Sequence, residues 1–154
     1  MDILVLSDSH GNKAFVTAAL ERESQCKTVF FLGDGEGDIE SAISDYPDRK
    51  FICVSGNCDR YSQLDTEAYK HLEGVTFMAC HGHRFSVKIT LRDLYNFAAG
   101  VRASVALYGH THNPMATYDS ATGVCAVNPG ALCDGKYCVI SVEKGKYDIT
   151  HKTL

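Results

Sequence analysis

The sequence predicts an α/β fold of two packed β-sheets flanked by helices, and two features carry the prediction. Continuous apolar runs rich in Val, Ile and Phe alternate with helical spacing through the first two-thirds of the chain. The remainder breaks into short strand-like runs separated by turn residues. A length of 154 residues, 45% hydrophobic and 22% charged, suits one domain over residues 1–154 with a single core.

The elements follow in order. Ile3–Leu6 is apolar on every residue, the pattern of a strand buried on both faces. It runs into Ser7-Asp8-Ser9-His10-Gly11-Asn12, after which Phe15, Val16, Ala19 and Leu20 recur at helical spacing with Asn12 as N-cap. Thr28–Leu32 is a second strand, ending in Gly33-Asp34. A short helix follows with Ile39 and Ile43 on one face and Pro47 beyond its end. Phe51–Val54 ends in Ser55-Gly56-Asn57-Cys58-Asp59, and no element is predicted between there and the next strand, Val75–Ala79. That strand leads into Cys80-His81-Gly82-His83. The following helix presents Leu91, Leu94 and Ala98 on one face, with Thr90 and Asp93 as a capping-box-like pair and Gly100 at its C-terminal end. Ser104–Tyr108 ends in Gly109-His110-Thr111-His112. Runs at Met115–Tyr118, Val124–Val127, Tyr137–Val142 and Tyr147–Thr150 read as an antiparallel meander, with turns at Asp134-Gly135 and Lys144-Gly145.

Composition excludes several classes. A net charge of −4 with no basic arm gives extended nucleic acid no electrostatic footing. The N-terminus has no basic segment ahead of its short apolar run, and no run reaches membrane-spanning length. The cysteines, seven and scattered, form no CxxC pair, and several lie within apolar runs. Together these lead to the expectation of a reducing cytoplasm.

Chemistry concentrates where predicted strands end. Asp8-Ser9-His10, Gly33-Asp34, Gly56-Asn57, His81-Gly82-His83 and Gly109-His110-Thr111-His112 each close one strand. Ligands in open α/β sheets bind outside the carboxyl ends of the strands. Of the histidines only His71 and His151 fall elsewhere. Carboxylate, imidazole and amide donors suit divalent Mn, Zn or Fe. So many donors exceed one ion and fit two ions about 3.5–4 Å apart, the arrangement that clamps both oxygens of a displacement at phosphorus. Taken singly each cluster is an ordinary turn or cap. Asp34-Gly35-Glu36-Gly37-Asp38 hints at an EF-hand loop but has Ile39 where glycine is required.

The ordered series D-x-H, G-D, G-N, H-G-H and G-H-T-H resembles the calcineurin-like metallophosphoesterase superfamily, and within it the small single-domain bacterial and archaeal phosphodiesterases. The resemblance runs from Asp8 to Asn128-Pro129-Gly130. It implies a four-layer αββα sandwich of two mixed sheets flanked by helices, and a metal-dependent phosphoric ester hydrolase. Asp8, His10 and His112 would bind one metal, Asn57, His81 and His110 a second, and Asp34 would bridge them. His110 and His112, two apart, would point to opposite sides of an extended segment, one to each ion. The implied cofactors are two divalent ions, Mn²⁺ first, with Zn²⁺, Fe²⁺ or Ni²⁺ as alternatives. The implied reaction is attack of a metal-bridging hydroxide on a small phosphate ester. Relatives of this kind are often dimers or tetramers, which makes a homo-oligomer an expectation.

Many members carry His directly after the asparagine, as acid or charge stabiliser at the leaving group; here that residue is Cys58. Besides Asp34 and Asn57, the residue expected to work at the reacting group is therefore His83, with metal-bound water as the other candidate acid. Asp59 reads as a turn or supporting residue, and Arg84 as a solvated side chain. A phosphomonoesterase would use the same metal pair. A scaffold, as in a eukaryotic retromer subunit of this fold, would have lost part of the ligand set, whereas here all seven positions hold competent donors.

Overall fold

The apolar run after Met1 becomes β1 (Asp2–Leu6), whose side chains divide between two cores. Ile3 and Val5 point into one buried cluster, Leu4 and Leu6 into another. This is the consequence of a two-residue side-chain period on a strand covered on both faces. The computed structural model describes residues 1–154.

After β1 come α1 (Lys13–Arg22), β2 (Thr28–Phe31), α2 (Glu36–Asp45) and β3 (Lys50–Cys53). Next are β4 (Glu67–Leu72), β5 (Val75–Cys80), α3 (Arg92–Gly100), β6 (Val105–Leu107), β7 (Met115–Asp119), β8 (Val124–Asn128), β9 (Lys136–Glu143) and β10 (Lys146–Thr153). One sheet has the order β10-β9-β1-β2-β3, the other β4-β5-β6-β8-β7. Strands β1, β2 and β3 are parallel, as are β5, β6 and β8, and the remaining strands pair antiparallel. The sheets meet face to face through a shared cluster that includes Phe30, Phe77, Val105, Val127 and Ile140, with the Phe30 and Phe77 rings 5.9 Å apart. On the outer face of the first sheet lie Val16, Ala19 and Leu20 of α1 and Ile39 and Ala42 of α2. Leu94 and Ala98 of α3 cover the outer face of the second. The four layers are α, β, β, α, as the resemblance implied.

Several local expectations are corrected. The four C-terminal strands are no meander: β7 and β8 belong to one sheet, β9 and β10 to the other. Strand β4 stands where none was predicted. Ile43 is exposed, and Ala42 takes its place beside Ile39 in the core. Leu91, not Thr90, is the N-cap of α3, and no side chain caps that end; Thr90 Oγ1 instead accepts from the Arg92 amide at 3.3 Å. Gly100 is the last helical residue, and the left-handed turn falls on Arg102. Asn12 does cap α1, its Oδ1 accepting from the Phe15 amide at 3.3 Å. No helix is long and apolar enough to cross a membrane.

Candidate metal centre

The polar clusters leave β1, β2, β3, β5 and β6 at the same end of the sandwich. Asp8, His10, Asp34, His110 and His112 all have positive φ, from 46° to 66°. Asp and His are among the few non-glycine residues enriched in that region, and each such residue costs roughly 1–2 kcal/mol. The chain keeps these conformations through bonds that cross between loops. The Asp8 amide donates to Gly33 O (2.9 Å) and the His10 amide to Asp34 O (3.0 Å). Close approach also needs glycine: a Cβ on Gly56 would overlap the Asp34 carboxylate, and one on Gly109 would overlap Ser7 Oγ.

Asp59 ties two of the loops together. Its Oδ2 accepts from the amides of Asp34 (2.7 Å) and Gly56 (2.8 Å), and its Oδ1 from those of Gly35 (2.9 Å) and Glu36 (3.0 Å). It thereby caps α2, whose own N-cap is a glycine with no side-chain bond. Asn128 does the same on the opposite side. Fully buried, it donates to Gly109 O (2.8 Å) and Thr111 Oγ1 (3.0 Å), fixing the loop that carries His110 and His112.

Six of the seven predicted donors converge, all but Asn57. Asp8, His10 and His112 bring ligand atoms within 4.8 Å of one another, and so do Asp34, His81 and His110. Asp8 Oδ1 lies 3.2 Å from His112 Nε2 and 3.6 Å from His10 Nε2; Asp34 Oδ2 lies 3.3 Å from His81 Nε2 and 3.9 Å from His10 Nε2. His110 and His112 do reach different groups, but not because the segment is extended. Both residues are left-handed, so the backbone folds tightly instead. Asn57 stands exposed at the rim, its amide donating to Cys58 Sγ at 3.4 Å. The sequence reading did not anticipate Cys58 grouped with His10 and Asp34, or Cys133 and Asp134 beside His112. Cys133 is far from the histidines in sequence, and the amides of Leu132 and Cys133, donating to the carbonyls of Ser7 (2.8 Å) and Asp8 (3.0 Å), bring it there.

The cluster is built for a cation. One oxygen of Asp8, Oδ2, accepts from Ser7 Oγ (2.6 Å) and the His110 amide (3.1 Å). The other, Oδ1, is buried with no hydrogen-bond partner. His81 Nδ1 bonds to Leu32 O at 2.7 Å, which places the proton there and turns the Nε2 lone pair inward. Nε2 is likewise buried without a partner, 3.9 Å from Asp8 Oδ1. His10 Nε2 and His112 Nε2 face each other at 3.3 Å. Acceptors buried this way cost free energy unless a donor or a positive charge lies among them.

The same contacts shift the acidities within the cluster. Burial pushes Asp34 up, but bonds to His81 and the Cys58 amide prevail and hold it well below the usual carboxylate range. Burial pushes His81 down, yet Asp34 and Asp8 prevail and raise it. Burial and then His81 lower His83 and His110. His83 sits with its ring 5.5 Å from that of His81 and its Nδ1 unpartnered. The Asp34 hydrogen bond, then burial, raises the Cys58 thiol. Arg84 turns away, donating to Thr66 Oγ1 (2.7 Å) and pairing with Glu67 (3.5 Å).

A family model described as the calcineurin-like phosphoesterase superfamily domain matches residues 1–145. The chain belongs to this superfamily. Over 133 residues, 86% of this chain and 75% of the relative, it is 28% identical to the probable metallophosphoesterase YsnB of Bacillus subtilis (strain 168). A conserved predicted phosphoesterase from Streptococcus pneumoniae TIGR4 superposes with a TM-score of 0.84 at 25% identity, over 99% of this chain and 88% of that one. A single mutant of Vps29 from Entamoeba histolytica superposes with a TM-score of 0.79, over 100% and 99% of the two chains. At 17% identity that likeness is one of fold. Membership of a phosphoesterase superfamily, with candidate metal ligands gathered at one end of the sheets, supports a phosphate-ester hydrolase.

Proposed function

We propose that the chain is a phosphodiesterase working with two divalent ions, one held by Asp8, His10 and His112, the other by Asn57, His81 and His110, with Asp34 between them. The observation that carries this reading is the pair of buried, partnerless acceptors, Asp8 Oδ1 and His81 Nε2, each in a different donor group. The mixed carboxylate, imidazole and amide set suits Mn²⁺. When bound, such ions lower the pKa of water to about 7 and offset charge on phosphoryl oxygens.

The chain's residues do the rest. Leu32 O and the Cys58 amide fix His81 and Asp34 before any ligand arrives, so little reorganisation accompanies the reaction. Asn57, exposed at the rim, orients a phosphoryl oxygen. His83, not needed as a ligand, faces the leaving-group oxygen; burial and His81 lower its pKa and so reduce the protonated form that could donate, which favours esters with good leaving groups. The raised Cys58 thiol stays protonated and is no nucleophile. With Arg84 committed to Thr66 and Glu67, the centre has few cations beyond the ions, which matches a singly charged diester better than a doubly charged monoester. The thiols, seven and all free, suit a cytoplasmic setting.

The test is metal analysis paired with hydrolysis of bis(p-nitrophenyl) phosphate and p-nitrophenyl phosphate. Two ions per chain are expected. Chelation should abolish turnover, Mn²⁺ should restore it, and the diester should be preferred. His81→Ala and Asn57→Ala should each lose most activity. Full activity after chelation overturns the reading.

A further inference from the structure

Beside the candidate metal centre runs a second cavity of about 350 Å³, within the size range of small-molecule sites. Its walls belong to the loops that carry the predicted ligands. One wall is the segment after His83, including Lys88, Ile89 and Leu91; the other follows His110 and includes Thr111, Asn113 and Met115. The first wall is anchored by Val87, buried so tightly that a Cβ on Gly82, between His81 and His83, would lie 2.9 Å from its methyl. The second is anchored by buried Tyr108, whose hydroxyl meets Met115 Sδ at 3.7 Å.

Lys88 and Ile89, on the first wall, are both exposed. Lys88 forms no ion pair and lines the cleft on the wall that follows His83. Ile89 is 86% exposed, and Met115 on the other wall is 43% exposed. Large apolar side chains held open to water on both walls of a cavity suit a ligand with an apolar part.

We infer that this cleft seats the alcohol portion of the phosphate-ester substrate, with Lys88 drawing a phosphoryl oxygen and Ile89, Leu91 and Met115 selecting an apolar or aromatic alcohol. The inference rests on the phosphodiesterase reading above and names the class of ester that reading leaves open. Lys88 supplies the positive charge that Arg84, tied to Thr66 and Glu67, does not. The apolar walls continue directly from the loops that hold His83 and His112, so phosphorus and its alcohol are bound by neighbouring surfaces.

The test uses the metal-loaded protein and two non-hydrolysable ligands, phenylphosphonate and methylphosphonate, titrated by calorimetry. The wild type should bind the phenyl compound about tenfold more tightly, the gain expected from burying part of one ring. The exposed-site double variant Ile89→Ser/Met115→Ser should bring the two affinities together and leave methylphosphonate unchanged. Lys88→Met should weaken both ligands by a similar factor, about five- to tenfold. Equal affinities in the wild type, or a preference unaltered in the double variant, overturn the inference. Should metal-loaded protein hydrolyse no phosphate ester, the phosphodiesterase reading fails, while the phosphonate preference still decides the fate of the cleft.

Discussion

Asn128 illustrates how single residues set this site without touching a ligand. It holds Gly109 and Thr111 from below, and its Oδ1 accepts from the Gly130 amide at 2.9 Å. Its partners include the loop in which His110 and His112 are both left-handed. Asn128→Ala should therefore weaken metal binding about 10- to 100-fold, the range for lost supporting contacts, as read by competition with a chromophoric chelator. The fold should survive, at a cost of about 1–3 kcal/mol for the unpaired groups. Unchanged affinity would mean that the loop holds its shape alone. The predicted donors were visible in the sequence because each follows an apolar run. Asp59 reads from sequence as a turn or supporting residue, but which groups it and Asn128 hold is not legible there, because most of their partners lie on other loops. No local pattern reports that Asp59 receives four amides, three of them from residues 34–36.

At the scale of elements, the runs buried on both faces were the easiest to read and the edges the hardest. Strand β4, Glu67-Ala68-Tyr69-Lys70-His71-Leu72, pairs on one side only, and none of its residues is fully buried. Its polar residues give neither a continuous apolar run nor helical spacing, so it escaped notice. The end of α1 shows a further device. Glu23, buried, accepts from Lys152 (2.8 and 2.9 Å), Tyr137 (2.8 Å) and Gln25 (2.9 Å), binding the helix to β9 and β10. Arg49 donates to Leu20 O at 2.6 Å, satisfying a carbonyl near that terminus. Burial pushes the Glu23 pKa up, but bonds from Lys152 and Tyr137 prevail and hold it below its ordinary 4.5. A carboxylate depressed on folding adds stability above its unfolded pKa and loses it as pH falls through the folded value. The urea midpoint should thus drop below about pH 4.5, and Glu23→Gln should reduce this fall while lowering stability at pH 7 by about 1–3 kcal/mol. An identical pH profile in the variant would assign the acid loss to other groups.

For the whole molecule, two sheets of five strands share one inner core. Phe77, buried between them against Phe30, is the side chain whose loss both sheets should feel. Phe77→Ala should cost about 3–5 kcal/mol in denaturant unfolding, and a cost near 1 kcal/mol would show that the sheets close over the gap. The sequence pointed to two sheets and flanking helices but misassigned the last strands, because periodicity identifies strands and not their neighbours. After β8 the chain leaves one sheet and lands on the other, with the Leu132 amide donating to Ser7 O (2.8 Å) at the tip of β1. The donor groups share that habit. Asp8 and His10 follow a strand of one sheet and His112 a strand of the other; Asp34 and His81 with His110 divide the same way. An ion in either group is therefore a clasp across the seam of the sandwich. At a hundred times its dissociation constant a bound ion adds about 2.7 kcal/mol to the folded state, and here that energy would fasten one half of the molecule to the other. For such a protein, metal scarcity would loosen the architecture as well as silence the chemistry.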